Sequence, residues 1–223
     1  MARYLVFDVN ETLLDVAALD PFFERLFGDA RTRLEWFLTL EENWLTATII
    51  DRYQPFGELA QGALIMTGQR RGIDVTEDQQ QELVEGLKTL PPHADVLQAL
   101  QSLHDHGLHL TALTNGSLDT AKQQLQSAGL MECFDAIMAV EEVKRYKPAP
   151  EPYRMVAERL GVSMSDMMLV AAHAWDIAGA ASAGCQTAFV SRPGKVLNPV
   201  GIQPNLQGNG MQEVAERILA RQS

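Results

Sequence analysis

Short, uninterrupted apolar runs recur along the chain at 4–8 (YLVFD), 108–113 (LHLTAL), 135–140 (DAIMAV), 167–171 (MMLVA) and 186–190 (QTAFV). Runs of this length without polar alternation fit strands buried on both faces. Between them the pattern becomes helical. SLDTAKQQLQSAGL opens on a capping serine, Ser117, and stops at Gly129, while APEPYRMVAERLG opens with prolines and stops at Gly161. AWDIAGAASAG stops at Gly184, and MQEVAERILARQ closes the chain. Strands alternating with helices predict an α/β fold with a parallel sheet and right-handed crossovers.

The first two runs are far apart, and no convincing strand lies between them. Residues 15–90 read instead as four helical segments: VAALDPFFERLFG, ARTRLEWFLTLEENWLTATII, FGELAQGALIMTGQRRG and TEDQQQELVEGLKTL. Thr76, with Gln79 three positions on, is a capping-box start for the last of these. Pro91 and Pro92 mark the return to the sheet. The expected division is a core domain of residues 1–14 and 91–223 and a helical insertion of residues 15–90. Residues 193–210, rich in Gly and Pro, read as an irregular loop.

A length of 223 residues fits this plan of one core and a smaller insertion. With 46% hydrophobic and 21% charged residues the chain has an ordinary globular composition, and no membrane span is expected. The first apolar run is cut by Asp8 after about five residues, short of the roughly 7–15 of a signal peptide, so a cytoplasmic location is expected. Cys133 and Cys185 stand in apolar surroundings and read as reduced, buried thiols. The net charge of −11, with basic residues scattered, disfavours a nucleic-acid partner. His104 and His106 in HDHGLH lie on different faces of a helix and do not suggest a metal site.

Ligands of an open parallel sheet bind beyond the carboxyl ends of its strands. There this chain places Asp8, Asn10 and Thr12; then Thr114, Asn115 and Ser117; then Lys147, followed by Tyr153; and finally Ala171-Ala172-His173-Ala174-Trp175-Asp176. A nucleophilic carboxylate needs a cation and N–H donors to stay ionised in a cleft, with a lone pair left free. Asp8 with Lys147 meets that need. Thr12, Thr114 and backbone N–H groups near 9–10 and 115 are candidate donors to an anionic substrate.

In this order Asp8-x-x-x-Thr12, Thr114-Asn115, Lys147-Pro148 and the late Asp176 resemble the haloacid dehalogenase superfamily, and within it the type II L-2-haloacid dehalogenases, over nearly the whole chain. The resemblance implies a Rossmann-like HAD core with a helical cap and no metal or organic cofactor. It also implies a small 2-haloacid as substrate and a homodimer. Asp8 would attack C2 and expel halide, giving an ester that water then cleaves. Asp176 would hold that water, Asn115 would face the halide, Tyr153 would support Lys147 or Asp176, and Trp175 would wall the pocket. Asn10, where phosphatases of the superfamily carry an acid, cannot protonate a leaving alkoxide, and a halide needs no proton.

His173 replaces an asparagine usual in the subgroup and is expected to hydrogen-bond or to act as a base near neutral pH. No arginine lies between Leu34 and Ile50, where the subgroup carries one for the halide, leaving Arg31, Arg33 and Arg52 as candidates. Two other readings stay open. One is a Mg²⁺-dependent phosphatase of the same superfamily, and the other a non-catalytic binding protein on this fold.

Overall fold

The structure, a computed structural model, describes residues 2–222. Strands β1 (Tyr4–Phe7), β2 (His109–Thr114), β3 (Ala136–Ala139), β4 (Met167–Ala171) and β5 (Gln186–Val190) form where the apolar runs stand. A sixth, β6 (Leu206–Gly208), lies inside the stretch expected to be an irregular loop. Three residues carry no readable period. Leu206 opposite Ala188 and Gly208 opposite Val190, both buried, make this segment a strand only through its pairing with β5. All five pairings are parallel, and the order is β3-β2-β1-β4-β5-β6.

Between β1 and β2 come a 3-10 turn (Val16–Leu19) and helices α1 (Asp20–Phe27), α2 (Thr32–Ile49), α3 (Phe56–Arg71), α4 (Glu77–Lys88) and α5 (Val96–Asp105). Among the described residues no strand interrupts this series. The capping box forms as the sequence predicts: Gln79 N–H donates to Thr76 Oγ1, and Thr76 N–H donates to the Gln79 side chain. Helices α6 (Leu118–Ser127), α7 (Pro150–Leu160), α8 (Ala174–Ala183) and α9 (Met211–Ala220) follow the later strands.

Alternation along β1 builds two cores. Leu5 and Phe7 join Leu110, Val170 and the apolar faces of α5 and α9, a cluster that continues upward into Trp36, Leu40 and Leu64 of the inserted helices. Val6 faces the other way, with Leu113, Leu169, Tyr153 and Ile177. Each fully buried Leu or Phe contributes about 1.5–3 kcal/mol, so β1 is fixed from both sides. Its Asp8 N–H donates to Val170 O at 3.1 Å, which sets the height of Asp8 beside β4.

The segment that carries Lys147 is tied to the inserted helices. Arg145 donates to Thr48 O and Asp51, Tyr146 N–H to Thr48 Oγ1, and Tyr146 O–H to Gln54 O. On the other side α8 approaches this segment closely. A Cβ on Gly179 would stand 2.5 Å from Pro148 Cβ and 2.8 Å from Tyr153 Oη, so only glycine fits there.

Candidate active site

The strand order reverses between β1 and β4, and the polar strand ends converge at that crevice. Asp8 leaves β1 buried, with both carboxylate oxygens engaged. Oδ1 accepts from Lys147 Nζ at 2.9 Å. Oδ2 accepts from Thr12 Oγ1 at 2.6 Å and faces His173 Nδ1 at 3.0 Å. Burial alone would raise the Asp8 carboxyl, but Lys147, His173 and Thr12 together hold it well below its usual value.

Lys147 is fully buried, and its ammonium also donates to Asp176 Oδ2 at 2.7 Å and to Leu113 O at 3.0 Å. Burial opposes its charge, yet Asp176 and Asp8 raise its pKa. Asp176 accepts on its other oxygen from Tyr153 O–H, whose phenol burial and Asp176 keep protonated. Burial, reinforced by the charge of Asp8, raises Asp176 despite Lys147 and Tyr153.

A small cavity opens on Asp8, lined by Asn10, Phe37, Trp44, Phe56, Thr114, Asn115, His173 and Trp175. Its interior of ≈ 20 Å³ has room for about one water molecule. Of the residues expected on the substrate, Asn10, Thr114, Asn115 and Trp175 do line it. Asn10 Oδ1 accepts from Gln124, itself held on Leu87 O, so the Asn10 amide keeps its N–H protons to donate. Thr114 Oγ1 accepts from Gly116 N–H and keeps its own proton to donate. Among the described residues the backbone N–H groups of Val9, Asn10 and Asn115 meet no protein acceptor.

Several expectations need correction. Thr12, fully buried, spends its hydroxyl proton on Asp8 and accepts from Ala172 N–H, so it orients the carboxylate and not a substrate. Tyr153 keeps the expected place against Asp176, but it lies off the cavity wall and so touches no substrate there. Asp176 is also absent from that wall, and its contact with the site runs through Lys147. Asn115 brackets the Lys147 backbone with both ends of its amide, accepting from Lys147 N at 2.9 Å and donating to Lys147 O at 3.4 Å. None of Arg31, Arg33 and Arg52 lines the cavity: Arg31 pairs with Asp29, Arg33 with Asp20, and Arg52 is exposed. Phe37 and Trp44 of α2 also line it, whereas Trp36 lies in the core.

His173 is no base at neutral pH. Burial opposes its charge, but Asp8 and Glu11 prevail and raise it to about 9. Its Nε2 lies 2.8 Å from Glu11 Oε2, and its ring stacks on Trp175 with centroids 4.8 Å apart. Glu11 escaped the sequence reading, as did Lys195, which pairs with it, and Glu41 of α2, which accepts from the Trp175 indole at 2.8 Å. Glu11 offered one signal, a carboxylate beside the nucleophile at a turn. Lys195 and Glu41 offered none, because distant segments bring them in.

Comparison with known proteins gives a consistent result. The family model for haloacid dehalogenase-like hydrolases matches residues 2–184. An (S)-2-haloacid dehalogenase of Xanthobacter autotrophicus is 31% identical over 86% of this chain and 76% of its own. Another, from Pseudomonas sp. strain YL, is 29% identical over 95% and 92%. The solved L-2-haloacid dehalogenase of Xanthobacter autotrophicus superposes with a TM-score of 0.92 at 24% identity, covering 98% of this chain and 99% of that one, which shows a shared fold.

Proposed function

The chain belongs to the haloacid dehalogenase-like hydrolases, and from that premise we propose that it hydrolyses the carbon–halogen bond of a small 2-haloalkanoic acid. One observation carries this reading. Asp8 is the sole carboxyl group on the cavity wall among the described residues, it is held ionised, and Asn10 stands where a proton donor to a leaving alkoxide would be needed. Such a site suits a leaving group that departs as an anion without a proton.

Oδ2 of Asp8 has two donors and Oδ1 only one, so Oδ1 keeps a free lone pair and is the attacking atom. The Asn10 amide, the Thr114 hydroxyl and the free N–H groups hold the substrate carboxylate. Oδ1 forms its bond to C2 as the carbon–halogen pair leaves with the halide, inverting C2. The halide departs among Phe37, Trp44, Phe56 and Trp175, aromatic rings whose rims are electropositive.

Water then attacks Cγ of the ester. Its lone pair forms the new C–O bond, and the carbonyl pair moves to Oδ2. Collapse breaks the Cγ–Oδ1 bond, and Lys147, next to Oδ1, protonates the departing oxygen. The neutral amine, held by Asp176, then takes up one water proton and is an ammonium again. The other proton leaves as the Asp8 carboxyl ionises again. An L-2-haloacid thus gives a D-2-hydroxy acid that carries an oxygen from Asp8.

A Mg²⁺-dependent phosphatase fits less well. Lys147 Nζ already stands between Asp8 and Asp176, and a protonated His173 lies on the remaining Asp8 oxygen, so cations occupy the positions a metal would take. The helices spanning 16–88 act as a cap over this site, consistent with the Glu41–Trp175 bond that joins α2 to α8. We infer a homodimer as well, because α2 leaves Leu34, Leu38, Ile49 and Ile50 exposed; a monomer mass in solution at micromolar concentration would exclude it. A cytoplasmic location fits the two buried free thiols.

A single turnover in H₂¹⁸O tests the mechanism. The expected product is unlabelled D-lactate from L-2-chloropropionate, with ¹⁸O in Asp8 and chloride release abolished by Asp8→Asn. Label in the lactate hydroxyl would mean direct attack by water and would overturn the role of Asp8.

A further inference from the structure

Glu11, His173 and Asp8 form a continuous array in which each imidazole nitrogen faces a carboxylate, at 2.8 Å and 3.0 Å. The array is built at some expense to the backbone. Glu11 sits at φ +64°, in the left-handed region that favours glycine, and its side chain is nonetheless buried against His173. The ring stacks on Trp175 and lies nearly parallel to Phe37 as well. The mechanism so far assigns Glu11 nothing.

Its use follows from the change of charge at Asp8. In the resting site two carboxylates balance the imidazolium. Once Oδ1 is alkylated Asp8 is a neutral ester, and Glu11 is the carboxylate left in contact with the ring. The atom that His173 and Thr12 both address, Oδ2, is the one on which negative charge develops when water adds to Cγ. Resting on the dehalogenase reading, we propose that Glu11 is a positioning residue of the hydrolytic half-reaction: it holds the His173 imidazolium on Oδ2, where the ring and the Thr12 hydroxyl together stabilise the oxyanion. The imidazolium donates a hydrogen bond and transfers no proton, so the balance of the hydrolysis is unchanged.

The groups that set the charge of His173 come from every side. Asp8 lies on the end of β1 and Glu11 in the following turn, and Lys147 stands across Asp8. Glu41 of α2 reaches Trp175 beside the ring. Lys195 shares Glu11 Oε2 with the ring, and Arg33 stands 3.9 Å from Oε1. Glu11 and Lys195 therefore act on the ring with opposite sign. Removing the carboxylate weakens the imidazolium, and removing the lysine strengthens it.

Rapid-quench turnover of L-2-chloropropionate, following chloride, D-lactate and the covalent ester by intact mass between pH 6 and 10, separates the two half-reactions. In Glu11→Gln the first equivalent of chloride should appear at the wild-type rate. Lactate formation should slow about 10- to 100-fold, less than the 10²–10³ typical of deleting an oxyanion donor, and the ester should accumulate. The alkaline fall in lactate formation should move to lower pH in Glu11→Gln, to higher pH in Lys195→Met, and back toward wild type in Glu11→Asp. Equal slowing of chloride and lactate, or an alkaline limb that moves the same way in Glu11→Gln and Lys195→Met, would overturn the proposal while leaving the dehalogenase reading intact. If Glu11→Gln does not fold, the Lys195→Met limb decides alone: a fall at wild-type pH or lower overturns it. A wild type that releases no chloride removes the dehalogenase reading, and the proposal with it.

Discussion

Lys147 Nζ lies 2.9 Å from Asp8 Oδ1 although 139 positions separate the two residues in the chain. The same ammonium bonds Asp176, so one buried cation serves two buried carboxylates.

Breaking such a group by removing one partner leaves charges buried and unpaired, which costs about 3–5 kcal/mol. Lys147→Met should lose that much stability in urea denaturation, and turnover with it. The double variant Lys147→Met/Asp176→Asn should recover part of the stability and none of the activity. Additive losses would show that the two residues are not energetically coupled.

The imidazolium of His173 gives stability a pH dependence. Its pKa rises from 6.5 to about 9 on folding, because Asp8 and Glu11 outweigh burial. The contribution, about 3 kcal/mol, is complete below pH 6.5 and is lost as pH rises through about 9. Thermal unfolding of wild type and His173→Asn from pH 6 to 10 should converge as pH rises. A constant gap between the two would remove the charge from His173.

Phe56 closes the cavity at the start of α3. Phe56→Ala should cost about 3 kcal/mol of stability. It should also raise kcat/KM for 2-chlorobutanoate relative to 2-chloropropionate about 10-fold, as expected for room for one more methylene. An unchanged ratio would place the size limit elsewhere in the aromatic wall.

Gly179 lies one helical turn after Asp176, where α8 meets Pro148 and Tyr153. Gly179→Ala should push α8 outward, costing about 1–3 kcal/mol. It should lower kcat more than KM as Asp176 draws away from Lys147. Wild-type kcat would show that this packing does not position Asp176.

The helical stretch over 15–90 and the first five strands were legible because each has a period or run length of its own. The same holds for Asp8, Lys147 and Asp176, whose spacing along successive strand ends survives without knowledge of the fold. The missing acid at Asn10 was legible too, since a residue type is a chemical fact before it is a structural one.

What the sequence by itself determined, then, is a parallel α/β core with a helical insertion and a nucleophilic carboxylate at a strand end. Only the tertiary structure decided the rest. β6 exists through its pairing with β5, not through its own three residues. Thr12 serves Asp8 and not a substrate because the carboxylate claims its proton, a competition that no local pattern records. Glu11 becomes significant through His173, 162 positions away, and His173 changes from a candidate base to a cation because two carboxylates meet it in a buried place. Local periodicity is written in neighbouring residues, whereas electrostatics in a low-dielectric interior depends on which distant charges the fold brings within hydrogen-bonding distance.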